Sequence, residues 1–147
     1  MDIKIISENK KGFMDLLLLA DEQEDMIEKY LGRGTLFALY DDGLKSICVV
    51  TDEGDGVFEL QSLATYEPFQ SKGYATYLVR HISEFYKDKG TTMYVGTGDI
   101  PFIVSFYEHC GFIFSYRLKN YFIEQYKEPM FEGEIQLKDK VYLQKTL

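Results

Sequence analysis

Three strand-like segments in close succession place the strongest constraint on how this chain can fold. Residues Leu36–Tyr40 and Leu44–Thr51 are joined by Asp41-Asp42-Gly43, and a second acidic, glycine-containing turn leads to a longer segment, Val57–Tyr66. Short Asp-Gly turns between alternating segments join antiparallel strands. The sequence therefore predicts an antiparallel meander of three strands.

The pattern changes after the meander to alternating helix and strand. Apolar residues at three- and four-residue spacing over residues 73–89 predict an amphipathic helix. A strand over Thr91–Thr97, a second helix with its apolar stripe over Ile103–Cys110, and a strand over Phe112–Leu118 follow. A strand–helix–strand crossover beside an antiparallel meander indicates an α+β fold.

The two ends of the chain extend this pattern. Residues Ile3–Ile6 predict a first strand, Lys10–Tyr30 predicts helix broken near Asp21, and Val141–Leu147 predicts a closing strand. A chain of 147 residues has the length of one domain. We therefore expect a single domain over residues 1–147, with a core large enough to need no disulfide or metal.

Charge and composition exclude several classes of partner. The net charge is −8, concentrated in the first half of the chain, and such a surface repels nucleic acid. No apolar run approaches the length of a membrane span, and Met1–Lys4 lacks the features of a secretory signal. With only two cysteines, Cys48 and Cys110, and no metal-ligand spacing, we expect a cytoplasmic protein without a metal, a nucleic-acid partner or a membrane partner.

The segment Gln70–Thr76, between the third meander strand and the helix that follows, has the features of an anion site. Gly73 allows a left-handed backbone and a close approach by a ligand, and Lys72 adds positive charge. The first N–H groups of a helix lack partners and lie at the positive end of its dipole. The segment therefore suits a phosphate group, although an ordinary glycine turn before a helix explains the same residues.

Two motifs in this order resemble the GNAT family of acyl-CoA-dependent N-acyltransferases. Gln70-x-x-Gly73-x-Ala75 follows a strand, as does the Q/R-x-x-G-x-G/A motif of that family. About thirty residues later, the segment Phe106–Phe112, which reads FYEHCGF, resembles the family motif L-Y-x-x-x-G-F. The order of predicted helices and strands also agrees over nearly the whole chain.

The resemblance implies a mixed, mostly antiparallel sheet of six or seven strands flanked by four helices and splayed to form a cofactor cleft. It implies acetyl-CoA as the acyl donor, with strand backbone pairing to pantetheine and the glycine loop holding the pyrophosphate. The cofactor-binding positions would be Leu63, Ala64, Thr65, Ser71, Lys72, Gly73, Tyr74, Ala75 and Thr76.

Acetyl transfer to an amine needs a proton acceptor for the ammonium and a proton donor for the departing thiolate. Tyr107 occupies the position at which the family carries its general-acid tyrosine, although periodicity alone makes it a core residue. Strand alternation from Val57 predicts Glu59, Gln61 and Leu63 on one face, which makes Glu59 a candidate base acting through water. A solvated strand glutamate is the alternative.

The first helices carry an acidic run, Asp21–Asp25, and Glu28. The resemblance places the acceptor wall in these helices, which favours a cationic acceptor, either a small amine or a peptide amine, although a solvated helix face explains the same charges. We therefore expect an N-acetyltransferase that acts by direct attack in a ternary complex, and the sequence is compatible with a homodimer. The alternative function is a catalytically idle acyl-CoA-binding or regulatory module on the same fold.

Overall fold

The order of helices and strands follows the predicted pattern closely. The structure, a computed structural model, describes residues 1–147. The strands are β1 (Asp2–Ile6), β2 (Thr35–Tyr40), β3 (Leu44–Gly54), β4 (Val57–Thr65), β5 (Thr92–Gly98), β6 (Ile113–Leu118), β7 (Phe131–Glu132), β8 (Ile135–Gln136) and β9 (Lys140–Thr146). The helices are α1 (Met14–Ala20), α2 (Glu24–Leu31), α3 (Tyr74–Tyr86), α4 (Pro101–His109) and α5 (Tyr121–Gln125), with 3-10 turns at Lys10–Phe13 and Glu67–Phe69.

One seven-stranded mixed sheet, in the order β1-β2-β3-β4-β5-β9-β6, organises the molecule. The antiparallel β2-β3-β4 meander and the parallel β4–α3–β5 crossover are confirmed. The predicted break near Asp21 is confirmed as well, because that residue lies between α1 and α2. The short helix α5 and the small β7–β8 hairpin were not predicted.

The parallel strands β4 and β5 diverge part-way along their length. They pair from Val57 opposite Thr92 to Leu60 opposite Val95, and no pairing continues beyond that point. β9 returns antiparallel between β5 and β6, so the far side of β5 stays paired throughout. The divergence leaves the edge of β4 that faces β5 without a strand partner over residues 61–65 and opens a cleft in the sheet.

Each face of the sheet has its own hydrophobic core. Helices α3 and α4 cover one face, where Leu78, Val79 and Ile82 pack among buried residues of β2 to β5. Helices α1 and α2 cover the other face, where Leu16 and Leu17 pack against β2, β3 and the end of β4. We call these faces the α3 face and the α1 face.

A β-bulge in β4 overturns one prediction. Val49 of β3 lies opposite Ser62, whereas the next residue, Val50, lies opposite Leu60, so Gln61 is an extra residue in β4. An extra residue reverses the faces of all later side chains. Leu63 therefore packs on the α3 face and Ala64 on the α1 face. The prediction that Glu59 and Leu63 share a face was wrong, because Glu59 lies on the α1 face.

No helix of the structure combines the length and the apolar character that crossing a membrane requires. Both cysteines are free thiols. Cys48 is buried in the core of the α3 face, and its burial raises the pKa of the thiol well above the ordinary value. Neither cysteine therefore takes part in a covalent crosslink within the chain.

The Gly90→Ala substitution is expected to lower the free energy of unfolding by about 1–3 kcal/mol. A Cβ at this position would collide with the backbone oxygen of Gly56 and lie 2.6 Å from Cε2 of Phe58, which holds the α3–β5 connection against β4. The matched control is Gly32→Ala, because Gly32 has a helical φ of −63° and open space around it. Urea denaturation of both variants measures the difference, and equal midpoints would contradict the expectation.

Candidate active site

A cavity of about 430 Å³ passes through the sheet at the opening between β4 and β5. Residues of β4 and β5 on its wall include Gln61, Ser62, Gly96 and Gly98. Its end on the α3 face, the α3 half, is lined by Leu63, Thr65, Gln70, Ala75, Ile103, Phe106 and Tyr107. Its other end, the α1 half, is lined by Leu19, Asp21, Tyr121, Phe122, Tyr126, Met130, Glu132, Leu137 and Lys140.

The loop before α3 presents a run of unused backbone donors beside the α3 half. The six consecutive N–H groups from Ser71 to Thr76 donate no hydrogen bond within the protein, and the first bonded amide is that of Tyr77, to Gly73 O at 3.0 Å. Ser71 and Gly73 have left-handed φ values of 62° and 90°. Unpartnered amides at the positive end of a helix form a site for an anion.

Two side-chain hydrogen bonds hold this loop in place. The Tyr74 hydroxyl donates to a carboxylate oxygen of Asp41 at 2.7 Å, and Nε2 of Gln70 donates to the backbone oxygen of Thr65 at 3.0 Å. Tyr74 therefore anchors the loop to the β2–β3 turn through its side chain, while its amide stays free. Lys72 is exposed and forms no ion pair.

The three predicted positions on β4 differ in what they present to the cleft. Leu63 and Thr65 line the cavity, whereas the side chain of Ala64 packs into the core of the α1 face. Oγ of Ser46 donates to Ala64 O at 2.8 Å and lies 2.9 Å from Oγ1 of Thr65, which fixes the end of the strand. All three residues lie on the part of β4 that no longer pairs with β5, so their backbone borders the opening between the two strands.

Tyr107 belongs both to the core of the α3 face and to the cavity wall. Its side chain is 8% exposed, and its ring makes edge contacts with Phe106 and Phe112. The hydroxyl has no hydrogen-bond partner in the protein, and burial raises its pKa well above the ordinary value. Tyr107 therefore carries a protonated, unpartnered hydroxyl at the α3 half.

Glu59 lies on the α1 face, behind the cavity wall rather than on it. Burial raises the pKa of its carboxyl group, and the nearby charge of Lys140 partly offsets this. Lys140 lines the α1 half, and the negative charge of Glu59 raises the pKa of its ammonium group. Any proton transfer between Glu59 and the cavity needs a mediating group.

Asp21 is the one residue of the predicted acidic run that lines the cavity. It accepts a hydrogen bond from the Tyr126 hydroxyl at 2.9 Å, and burial raises the pKa of its carboxyl group. The rest of the run faces solvent, where Glu28 pairs with Lys11 at 3.2 Å. Most of the predicted acidic surface therefore lies outside the cavity.

The comparisons with known proteins agree with this geometry. Residues 7–112 match the model of the acetyltransferase (GNAT) family. The chain belongs to the GNAT family. It is 33% identical over 144 residues to the uncharacterized N-acetyltransferase YvbK of Bacillus subtilis (strain 168), an alignment that covers 96% of this chain and 93% of that protein.

Two solved structures show how closely the chain follows other GNAT proteins. One is a GNAT family acetyltransferase from Elizabethkingia anophelis with acetyl-CoA bound, with a TM-score of 0.93, 28% identity and coverage of 99% of this chain and 97% of that one. The other is an acetyltransferase of Bacillus subtilis in complex with CoA, with a TM-score of 0.90, 32% identity and the same coverage. The splayed mixed sheet implied by the resemblance is therefore confirmed.

Sequence reasoning missed the C-terminal residues of this GNAT site. Tyr121, Tyr126 and Lys140 reach the α1 half from α5, the segment after it and the start of β9. The closing strand itself was predicted, but nothing in its pattern indicates which way Lys140 points. That direction depends on Gly96 and on the aromatic rings that surround the lysine.

Proposed function

We propose that this chain is an N-acetyltransferase that transfers an acetyl group from acetyl-CoA to a small primary amine by direct attack in a ternary complex. The single observation that carries the proposal is the run of six free amides from Ser71 to Thr76 at the mouth of the cavity. A run of this kind binds the pyrophosphate of a nucleotide cofactor. GNAT membership and relatives solved with acetyl-CoA or CoA support the same cofactor.

The residues present fit acetyl-CoA along its length. Amides from Ser71 to Thr76 would hold the pyrophosphate, with Lys72 adding charge. An added Cβ at Gly73 would meet nothing within 4 Å, so the loop leaves room for a ligand against its backbone. The free edge of β4 at Leu63, Ala64 and Thr65 would pair with the amides of pantetheine, because the pairing of β4 with β5 ends at Leu60.

When bound, acetyl-CoA supplies the thioester that the amine attacks. Backbone N–H groups on the unpaired edge of β4 would stabilise negative charge on the carbonyl oxygen. Tyr107 would give the proton of its hydroxyl to the departing thiolate sulfur. The ordinary pKa of a tyrosine already keeps the hydroxyl protonated at neutral pH, and burial raises that pKa further, so the position of the hydroxyl on the cavity wall is what supports this role. No covalent acyl-protein step is needed, because the amine is itself the nucleophile.

Glu59 is the proposed base for the incoming ammonium, acting through water because its side chain stands behind the cavity wall. Its raised pKa makes it a better proton acceptor than an exposed glutamate. An unperturbed alkyl ammonium has a pKa of about 10.4, so near neutral pH almost all of the acceptor arrives protonated. The acceptor therefore enters as a cation, and Asp21 on the cavity wall attracts it.

The Glu59→Gln substitution is expected to lower kcat/KM about 100-fold near pH 6–7, and by progressively less toward pH 10. The deficit shrinks because the free amine then forms without a base. The affinity for CoA should change little, since Glu59 lies on the α1 face. The matched control is Glu8→Gln, at an exposed position near the N-terminus. Parallel pH profiles for wild type and Glu59→Gln would remove Glu59 from the mechanism.

The proposed function is tested by following free-thiol release from acetyl-CoA with a panel of primary amines. We expect at least one amine to accelerate thiol release and to be recovered as its N-acetyl product. Thermal stabilisation by CoA but not by adenosine would show that the cofactor binds. If CoA stabilises the protein and no amine accelerates thiol release, the chain is an idle CoA-binding module. If CoA at millimolar concentration does not stabilise it, the proposal fails.

A further inference from the structure

Lys140 places an ammonium group in the α1 half with all three of its hydrogen-bond donors unused. Nζ lies 4.6 Å from the ring centre of Tyr121 and 4.9 Å from that of Tyr142. No carboxylate oxygen lies within 4 Å of it, and it donates no hydrogen bond within the protein. Two aromatic faces hold this cation, and its N–H groups remain available to a ligand in the cavity.

Strand pairing and the glycine at position 96 fix the position of Lys140. Lys140 pairs with Gly98 in the β5–β9 ladder, and its stem crosses the backbone of Gly96. A Cβ at Gly96 would collide with Cε of Lys140 and lie 2.8 Å from the ring of Tyr142. The absence of a side chain at Gly96 therefore lets the lysine lie along β5 toward the cavity.

A mostly buried cation without hydrogen bonds is costly to keep. Burial lowers the pKa of Lys140, and the charges of Glu59 and Asp21 oppose that shift without touching the ammonium. The two carboxylates thus favour the charged form and leave the donors of Nζ free. This arrangement is suited to receive an anionic oxygen from a bound molecule.

A second unpartnered polar group lines the same cavity. The Ser62 side chain is 5% exposed, and its buried hydroxyl makes no hydrogen bond of ordinary length, its polar neighbour being the hydroxyl of Tyr30. Ser62 follows the β4 bulge and lies on the α1 face, as Lys140 does. Polar groups without protein partners are uncommon beside a largely apolar wall, so the Ser62 hydroxyl and the Lys140 ammonium together favour a polar ligand there.

We propose that Lys140 binds a carboxylate of the acceptor, so that the substrate is a primary amine that also carries a carboxylate and an apolar or aromatic body. The inference rests on the proposed function. Asp21 and Glu132 on the same wall disfavour a dianion such as a phosphate, which leaves a monoanion. The remaining wall is largely apolar and aromatic, through Leu19, Phe122, Met130 and Leu137. A polyamine would leave the lysine donors unfilled and is not the preferred acceptor.

The test compares matched acceptors that differ only in the carboxylate: phenylalanine with phenethylamine, and tyrosine with tyramine. For the wild type we expect kcat/KM at least tenfold higher for the carboxylate-bearing member of each pair. In Lys140→Met this ratio should fall by at least tenfold, which is the scale of one charge-assisted hydrogen bond. The matched control is Lys138→Met, an exposed lysine two residues earlier, for which the ratio should not change.

Binding without turnover keeps the inference testable if catalysis is absent or if Lys140→Met folds poorly. N-acetylphenylalanine should raise the Tm of wild-type protein more than N-acetylphenethylamine does. Equal stabilisation by the two, or equal rates for both members of each acceptor pair, would overturn the carboxylate subsite and leave the acetyltransferase proposal standing. The reverse result, stabilisation by N-acetylphenylalanine alone with no amine-dependent thiol release, would support the subsite and contradict the proposed function.

Discussion

The Tyr107→Phe substitution is expected to lower kcat by about 100-fold or more, with little change in the affinity for CoA. The substitution removes one hydroxyl and keeps the ring that packs against Phe106 and Phe112. No hydrogen bond within the protein is lost, because the hydroxyl has no partner there. The free energy of unfolding should therefore hardly change, and a loss of rate reports on proton donation.

Tyr86→Phe is the matched control for Tyr107. Tyr86 is a buried tyrosine in the same core, 5% exposed, and does not line the cavity. Steady-state kinetics and thermal melts of the two variants separate chemistry from packing. If Tyr107→Phe and Tyr86→Phe lose the same small fraction of kcat, Tyr107 is a core residue and the proton comes from elsewhere.

The Ala75→Asp substitution is expected to weaken CoA binding about 100-fold. Ala75 lies in the first turn of α3 and on the cavity wall, beside the amides proposed to hold the pyrophosphate. A carboxylate about 5 Å from a phosphate charge at an effective dielectric constant of about 20 costs about 3 kcal/mol. The same carboxylate interacts favourably with the helix dipole, so the Tm without ligand should stay the same or rise.

Opposite effects on CoA affinity and on thermal stability make Ala75→Asp a specific test of pyrophosphate binding by the amides of Ser71–Thr76. The control is Tyr77→Asp, which adds the same charge to the exposed side of α3, away from the cavity. Isothermal titration with CoA and thermal melts measure the two quantities. Equal affinities for wild type and Ala75→Asp would mean that the pyrophosphate does not bind at this helix end, and the proposed function would lose its main support.

Tyr107→Phe and Ala75→Asp both change the α3 half of the cavity. Glu59, Asp21 and Lys140 lie on the α1 side. The two halves meet where β4 and β5 stop pairing, at Leu60 and Val95. In the proposed reaction, acetyl-CoA and the amine reach the reacting atoms from opposite faces of the sheet. This separation explains how one cavity can hold two substrates together, as direct transfer requires.

Local patterns predicted the elements that line the α3 half of the cavity. Turn residues and alternation identified the meander, and apolar spacing identified α3 and α4. The loop Gln70–Thr76 was found because a glycine followed by a helix start is a short-range signal. Tyr107 was found by its place in a local motif at the end of a helix, and the structure shows that it lines the cavity.

Such patterns could not predict the α1 half of the cavity, because contacts between distant segments create it. The pattern of polar and apolar residues in β4 gives no sign of the bulge at Gln61. The bulge nevertheless reverses the faces of the residues after it, so Glu59 and Leu63 lie on opposite faces of the sheet. Lys140 turns into the cavity because Gly96, more than forty residues earlier, has no side chain in its way.

The amino-acid sequence by itself determined the order of strands and helices apart from α5 and the β7–β8 hairpin, together with the free amides before α3 and the place of Tyr107 in its helix, since each depends on neighbours within a few residues. Only the tertiary structure decided which carboxylate and which lysine line the α1 half of the cavity. The physical reason is that strand register and the close packing of Lys140 over Gly96 are properties of paired segments, which no single segment encodes.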